Sequence, residues 1–131
     1  MLPAQLVDLD PPLLDEVMPA FDAYVFVTPE YNHSTSGALK NALDFLYAEW
    51  NNKSAGFVSY GVNGGTRAVE HLRLMMGELQ IADVRAQVTL RLLTDFRPAA
   101  QQENAVDTML DQVIAWGLAL RPLRGPALGR G

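Results

Sequence analysis

The stretch Tyr24-Val25-Phe26-Val27-Thr28-Pro29-Glu30-Tyr31-Asn32-His33-Ser34 constrains the fold more than any other. A β-branched and aromatic run stops at Thr28-Pro29 and a polar turn follows. From Ser36 the apolar positions Leu39, Ala42, Leu43, Leu46, Tyr47 and Trp50 recur every three or four residues. An uninterrupted apolar run reads as a strand buried on both faces, and the recurrence predicts one face of a helix over 36–50. Ser34 or Ser36 is placed to cap that helix. In open α/β sheets ligands bind beyond the carboxyl ends of strands, so the polar turn is the first place to put a site.

The pattern then repeats. Residues 55–60 form a second apolar strand that runs into Gly61-Val62-Asn63-Gly64-Gly65-Thr66, where glycine permits positive φ and close backbone approach. Residues 66–79 are helical, with Val69, Leu72, Met75, Met76 and Leu79 inward. Residues 84–90 alternate Val84, Ala86, Val88 and Leu90 with polar partners, a strand with one wet side at a sheet edge. Residues 94–101 read as loop and 103–120 as a helix that Pro122 ends. Ahead of all this, residues 5–9 read as a short strand closed by Asp10-Pro11-Pro12, and residues 13–18 as a helical turn. The sum is an α/β chain with a parallel sheet covered on both faces. Residues 1–123 form a single domain and the Gly/Pro-rich 124–131 a disordered tail.

Composition removes several classes of function. With no cysteine there are no disulfides, thiolate zinc sites or cysteine nucleophiles. His33 and His71 fall on different elements, so no metal site is expected. A net charge of −5 argues against nucleic acid as a partner. No signal peptide and no bilayer-spanning stretch is evident, so a cytoplasmic protein without membrane association is the expectation.

The two glycine- and polar-rich loops follow strands that are adjacent in sequence, and both suit a flat heteroaromatic ligand. Pro29, Glu30, Tyr31 and Asn32 offer backbone amides, a side-chain amide and an aromatic face; Ser59, Tyr60, Gly61, Gly64 and Gly65 bring backbone close from the other side. A flavin ring needs such donors at its polar edge and apolar cover over its plane. Each feature also has a plainer reading. The glycine loop can be only a turn, Tyr31 a surface aromatic, and Glu30 a helix cap or a partner for Arg67. His33 and His71 can be solvated, and Met75 and Met76 core or interface. No catalytic residue is assigned, because no nucleophile–base spacing is present.

Taken together, Thr28-Pro29-Glu30-Tyr31-Asn32-His33-Ser34, Gly37-Ala38-Leu39-Lys40-Asn41-Ala42-Leu43-Asp44, Ser59-Tyr60-Gly61 and Gly64-Gly65-Thr66-Arg67-Ala68 closely resemble the NADPH-dependent FMN reductase family, the flavodoxin-like group of small quinone, chromate and azo-dye reductases. The resemblance spans about residues 5–120 and implies a three-layer α/β/α sandwich. It implies FMN as cofactor, held at the ring by Pro29, Glu30, Tyr31 and Asn32 on one side and Ser59, Tyr60, Gly61, Gly64 and Gly65 on the other. It implies hydride transfer from NADPH or NADH to the flavin and electron delivery to a small acceptor, with the protein binding and orienting. It also implies a homodimer or homotetramer packed through helices 36–50 and 66–79.

The family pattern opens with a strand, a Gly-Ser-x-Arg loop for the FMN phosphate at a helix start, and a long helix. This chain opens at what resembles the second strand, so that first unit is missing from it and FMN binding is expected to be weakened. In the strand order 2-1-3-4-5 the missing strand lies between residues 5–9 and 24–28. The expectation is that residues 5–9 move over to pair directly with residues 24–28, supported by tight subunit association. The alternative reading is a non-catalytic flavodoxin-like oligomeric or binding module that has lost FMN.

Overall fold

The computed structural model describes residues 16–96 and 100–125. Three parallel strands, β1 (Ala23–Pro29), β2 (Lys53–Gly61) and β3 (Ile81–Arg91), lie side by side in that order. Between them run helices α1 (Gly37–Asp44) and α2 (Thr66–Glu78), and α3 (Ala100–Arg124) closes the chain. The architecture is the α/β sandwich expected, and β3 is an edge strand among the described residues. The readings at residues 5–9 and most of 13–18, including the pairing of 5–9 with β1, lie outside the described residues, as do 126–131.

Alternation along the strands assigns the layers. Tyr24, Phe26, Ala55 and Phe57 face α1 and α2 and join Leu39, Leu43, Leu46, Trp50, Val69, Leu72 and Met76 in one buried cluster. Val84 and Val88 turn the other way, onto Met109 and Val113 of α3, with Ala86 and Leu90 packed around them. Gly56 lets α3 come close, since a Cβ there would run into the Met109 and Val113 side chains. Val25 and Val27, on the α3 side of β1, stay exposed.

Two long elements depart from the sequence reading. The helix expected over 36–50 ends at Asp44, and a 3-10 turn, Ala48–Trp50, follows. The cause is a change of partners. The Tyr47 amide donates to Glu49 Oε2 (3.0 Å), and the Leu43 carbonyl accepts from Trp50 Nε1 (3.0 Å). Trp50 thereby folds back into the core while Tyr47, expected inside, is exposed and donates its hydroxyl to Glu78. The last helix is longer at both ends than 103–120 and carries Pro122 inside its final turn. Arg121 and Arg124 both bind Asp22 at the start of β1, and Arg124 also reaches the Asn52 carbonyl at 2.7 Å. These contacts hold the turn where proline removes a backbone donor, and they place Arg124 in the helix instead of the tail.

The β2–β3 register shifts between Ala55 and Phe57, leaving residues 84–86 bulged. Arg73 of α2 donates to the Val84 carbonyl at 2.8 Å and to Asp83 Oδ2 at 2.7 Å, and Gln112 of α3 accepts from the Ala86 amide at 3.0 Å. Helices on both faces thus satisfy backbone that the ladder leaves unpaired.

At the amino end of the sheet, buried Lys53 donates to the Met18 carbonyl and the Tyr24 hydroxyl, both at 2.9 Å. Burial, aided by the Arg124 cation, pulls its ammonium down to about 8 from 10.5. Burial also holds the Tyr24 hydroxyl well above the usual phenol range. From about pH 8 to 10.5 the unfolded chain binds more protons at Lys53 than the folded one, so stability gains from this group as pH rises. Above about pH 10 Tyr24 works in the opposite sense, because only the unfolded phenol has ionised. Urea unfolding is therefore expected to show stability climbing above pH 8 and turning over near pH 10, and Lys53→Met to remove the climb. A wild-type midpoint that stays flat or falls between these values contradicts the assignment.

Candidate functional site

The register of β1 on β2 pairs Thr28 with Ser59 and Pro29 with Tyr60, so both loops leave the sheet at one level. Tyr31 and Ser34 exchange two backbone hydrogen bonds, each 2.9 Å. Between them Asn32 (φ 50°) and His33 (φ 68°) are both left-handed, the pattern of a type I′ turn, which asparagine and histidine tolerate better than most side chains. Among the described residues the Asn32 and His33 amides donate to no backbone or side-chain acceptor. Ser36, not Ser34, caps α1 by accepting from the Leu39 amide at 3.1 Å.

The second loop is fixed from beneath. Ser59 is buried and donates its hydroxyl to the Gly64 carbonyl at 2.6 Å; the Gly64 amide donates to the Gly61 carbonyl at 3.0 Å. Gly64 (φ 76°) and Gly65 (φ 72°) are both left-handed and lead directly into α2. A Cβ on Gly61 would stand 3.7 Å from Cβ of Glu30, so the two loops touch. The segment after β3 completes the edge. The Leu92 amide donates to the Gly61 carbonyl, and Phe96 meets Tyr60 edge-on with centroids 6.1 Å apart.

The structure thus brings together Pro29, Glu30, Tyr31, Asn32, Tyr60, Gly61, Gly64 and Gly65 at one end of the sheet, with Ser59 as a support beneath. Sequence reasoning offered one of the cross-links as an alternative and missed the others. Arg67, on the first turn of α2, donates from Nε to Glu30 Oε1 and from Nη1 to His33 Nε2 at 2.8 Å. One helical turn on, His71 Nδ1 lies 2.8 Å from Ser34 Oγ. His33 and His71 are therefore partnered and not merely solvated. The pairing of Glu30 with Arg67 was one of the alternatives in the sequence. The i, i+4 spacing of Arg67 and His71 opposite consecutive His33-Ser34 was the signal for the rest. Phe96 had none.

Chemically, the site offers outward amides, a side-chain amide and exposed aromatic faces at Tyr31 and Phe96. Its hydroxyl–imidazole pair, Ser34 with His71, has no carboxylate bonded to the ring among the described residues. Among the described residues no group of His, Asp and Glu is placed to hold a metal ion. No helix among them is long and apolar enough to cross a membrane.

An NAD(P)H-dependent FMN reductase of Nectria sp is 39% identical over 80 residues, which are 58% of this chain and 39% of that protein. One from Saccharomyces cerevisiae is 45% identical over 65 residues, 50% of this chain and 34% of the other. This chain therefore spans well under half the length of these relatives. In fold it is similar to FerB, a flavoenzyme NAD(P)H:(acceptor) oxidoreductase from Paracoccus denitrificans, with a TM-score of 0.66 at 21% identity over 90% of this chain and 78% of the other. The sequence profile of the NADPH-dependent FMN reductases matches residues 7–94, and the chain belongs to that family.

Proposed function

We propose that this chain holds the isoalloxazine of FMN between the Pro29–Asn32 turn and the Ser59–Gly65 loop and works as an NAD(P)H-dependent oxidoreductase on a small acceptor of the quinone kind. The observation that carries the reading is the I′ turn itself. It leaves the Asn32 and His33 amides without acceptors among the described residues, directly beside a loop whose glycines admit close approach. Such donors suit the acceptor-rich edge of a flavin, and Tyr31, Tyr60 and Phe96 suit its plane. The residues present fit the ring.

The chemistry a bound flavin supplies is two-electron transfer between a reduced nicotinamide and a second acceptor. The protein's own part is positional. The turn amides and the Asn32 side chain orient the ring, Ser59 holds the Gly64 carbonyl in place, and the aromatic side chains exclude water. No residue of the chain is asked to move a proton.

Phe45, Tyr47 and Leu74 are exposed, and Tyr47 lines a groove of ≈ 330 Å³ with Leu43, Met75 and Glu78, which suits packing of a homodimer or homotetramer. A cytoplasmic location accords with the absence of a membrane-crossing helix among the described residues.

The test is a flavin titration of these 131 residues. Riboflavin and FMN are both expected to bind with micromolar affinity through the ring. The complex should oxidise NADPH with a quinone or ferricyanide present, and Asn32→Ala and Gly64→Val should abolish this. No flavin binding at all would overturn the enzymatic reading and leave a non-catalytic module.

A further inference from the structure

We propose that Arg67 is the positioning residue that locks the two strand-end loops together, and that neutral His33 is required for its hold. The inference rests on the reading of those loops as the ring site.

The Glu30 side chain is 7% exposed, and its Oε2 has no hydrogen-bond partner among the described residues. Arg67, on Oε1, is the partner of this buried carboxylate. A buried charge that loses its partner is costly, so Glu30, and with it the turn from Pro29, depends on where the guanidinium sits. Arg67 follows Gly64-Gly65 by two residues, so its placement registers one loop against the other.

Arg67 is itself 43% exposed and has a second hold in His33. A guanidinium only donates hydrogen bonds. His33 Nε2 must therefore accept, which requires a neutral ring with its proton on Nδ1. Protonated His33 has nothing to accept with and places a second cation beside Arg67. The bond at His71 differs in kind. A serine hydroxyl both donates and accepts, so His71 Nδ1 can keep Ser34 in either charge state. Of the two histidine contacts, the one that needs a neutral ring is thus at His33. The charged groups facing it are Arg67 from α2 and, through Arg67, Glu30 at the end of β1. On the same helix Glu70 and His71 are exposed, and Lys40 of α1 is paired with Asp44.

The test begins without flavin. In a pH titration, NMR would follow the ring signals of both histidines and the amides of Gly64 and Gly65. The glycine amides, on the far loop, are expected to shift with the midpoint of the His33 ring. His33→Asn keeps an acceptor at every pH and accepts the left-handed backbone of that position, so it should flatten the shift without unfolding the turn. His71→Gln should leave it intact. Glycine shifts that follow His71, or a neutral His33 protonated on Nε2, would overturn the proposal. A second arm titrates riboflavin. Its affinity should fall several-fold as His33 protonates, and lose that dependence in His33→Asn. Should riboflavin fail to bind at any pH while the amides still track His33, the ring-site reading falls and the lock stands. Should Arg67→Ala bind riboflavin as wild type does, the lock falls and the ring site stands.

Discussion

Trp50→Ala is expected to lower the stability of the fold by about 3–5 kcal/mol, as removal of a fully buried tryptophan does elsewhere. Trp50 has no exposed surface, meets Tyr24 edge-on at 5.0 Å and lies 6.1 Å from Phe26. Its Nε1 is also the donor on the Leu43 carbonyl, left without its helical partner when the Tyr47 amide turns to Glu49. Two terms are therefore lost together, apolar contact and a buried hydrogen bond. Trp50→Phe separates them. It retains most of the contact and strands the carbonyl, for a loss of about 1–3 kcal/mol. Urea unfolding followed by circular dichroism measures both. A Trp50→Ala midpoint close to wild type would mean that the turn 48–50 does not seal the core. Intrinsic fluorescence gives a second reading, because the other tryptophan, Trp116, is 48% exposed.

That turn marks where the sequence became misleading. The strands were legible because their apolar runs are short and bounded. Residues 24–28 and 55–60 fall within β1 and β2, and the period-2 face Val84, Ala86, Val88 and Leu90 is the one α3 covers. The helix over 36–50 was not, because Trp50 fulfils the helical period by another route. Burial is what periodicity records, and a side chain that folds back over the helix end is buried as well as one carried by a further turn. Pro122 misled in the other direction. A proline ends a helix only where the lost bond is not replaced, and the ion pairs of Arg121 and Arg124 with Asp22 cross the whole chain. The site shows the same division. Residues that lie in sequence order on each loop could be named, and the chain's place in its family followed from them. The links between loops, Glu30 with Arg67, His33 with Arg67 and Ser34 with His71, join residues 37, 34 and 37 positions apart. The i, i+4 spacing of Arg67 and His71 hints at such links, but it does not specify which of several polar side chains meet over that distance.

Gly65→Ala is expected to cost on the order of 3 kcal/mol and to remove riboflavin binding. The backbone at Gly65 has φ 72°, where an alanine is strained by roughly 1–2 kcal/mol. Its Cβ would stand 2.8 Å from Cβ of Ser59, 2.8 Å from the Tyr60 nitrogen and 2.9 Å from the Tyr60 oxygen. Two of these three atoms are backbone of β2, held by ladders on both sides, so the strand cannot give way as a side-chain tip would. Relief must come from the loop, which lifts off β2 and carries Gly64, Thr66 and Arg67 with it. The consequence reaches Glu30 on the opposite loop, because Arg67 is its partner. Gly77→Ala supplies the control. The same methyl is added to a glycine of α2 with nothing within 4 Å and no left-handed backbone, and it should stabilise by about 0.5–1 kcal/mol. One chemical change on two glycines near either end of one helix is thus expected to act with opposite sign. Equal effects at the two positions would show that the close approach of Gly65 to Tyr60 does not shape the site. Loss of riboflavin in Gly65→Ala, at temperatures where circular dichroism shows the fold retained, would tie that approach to the ring.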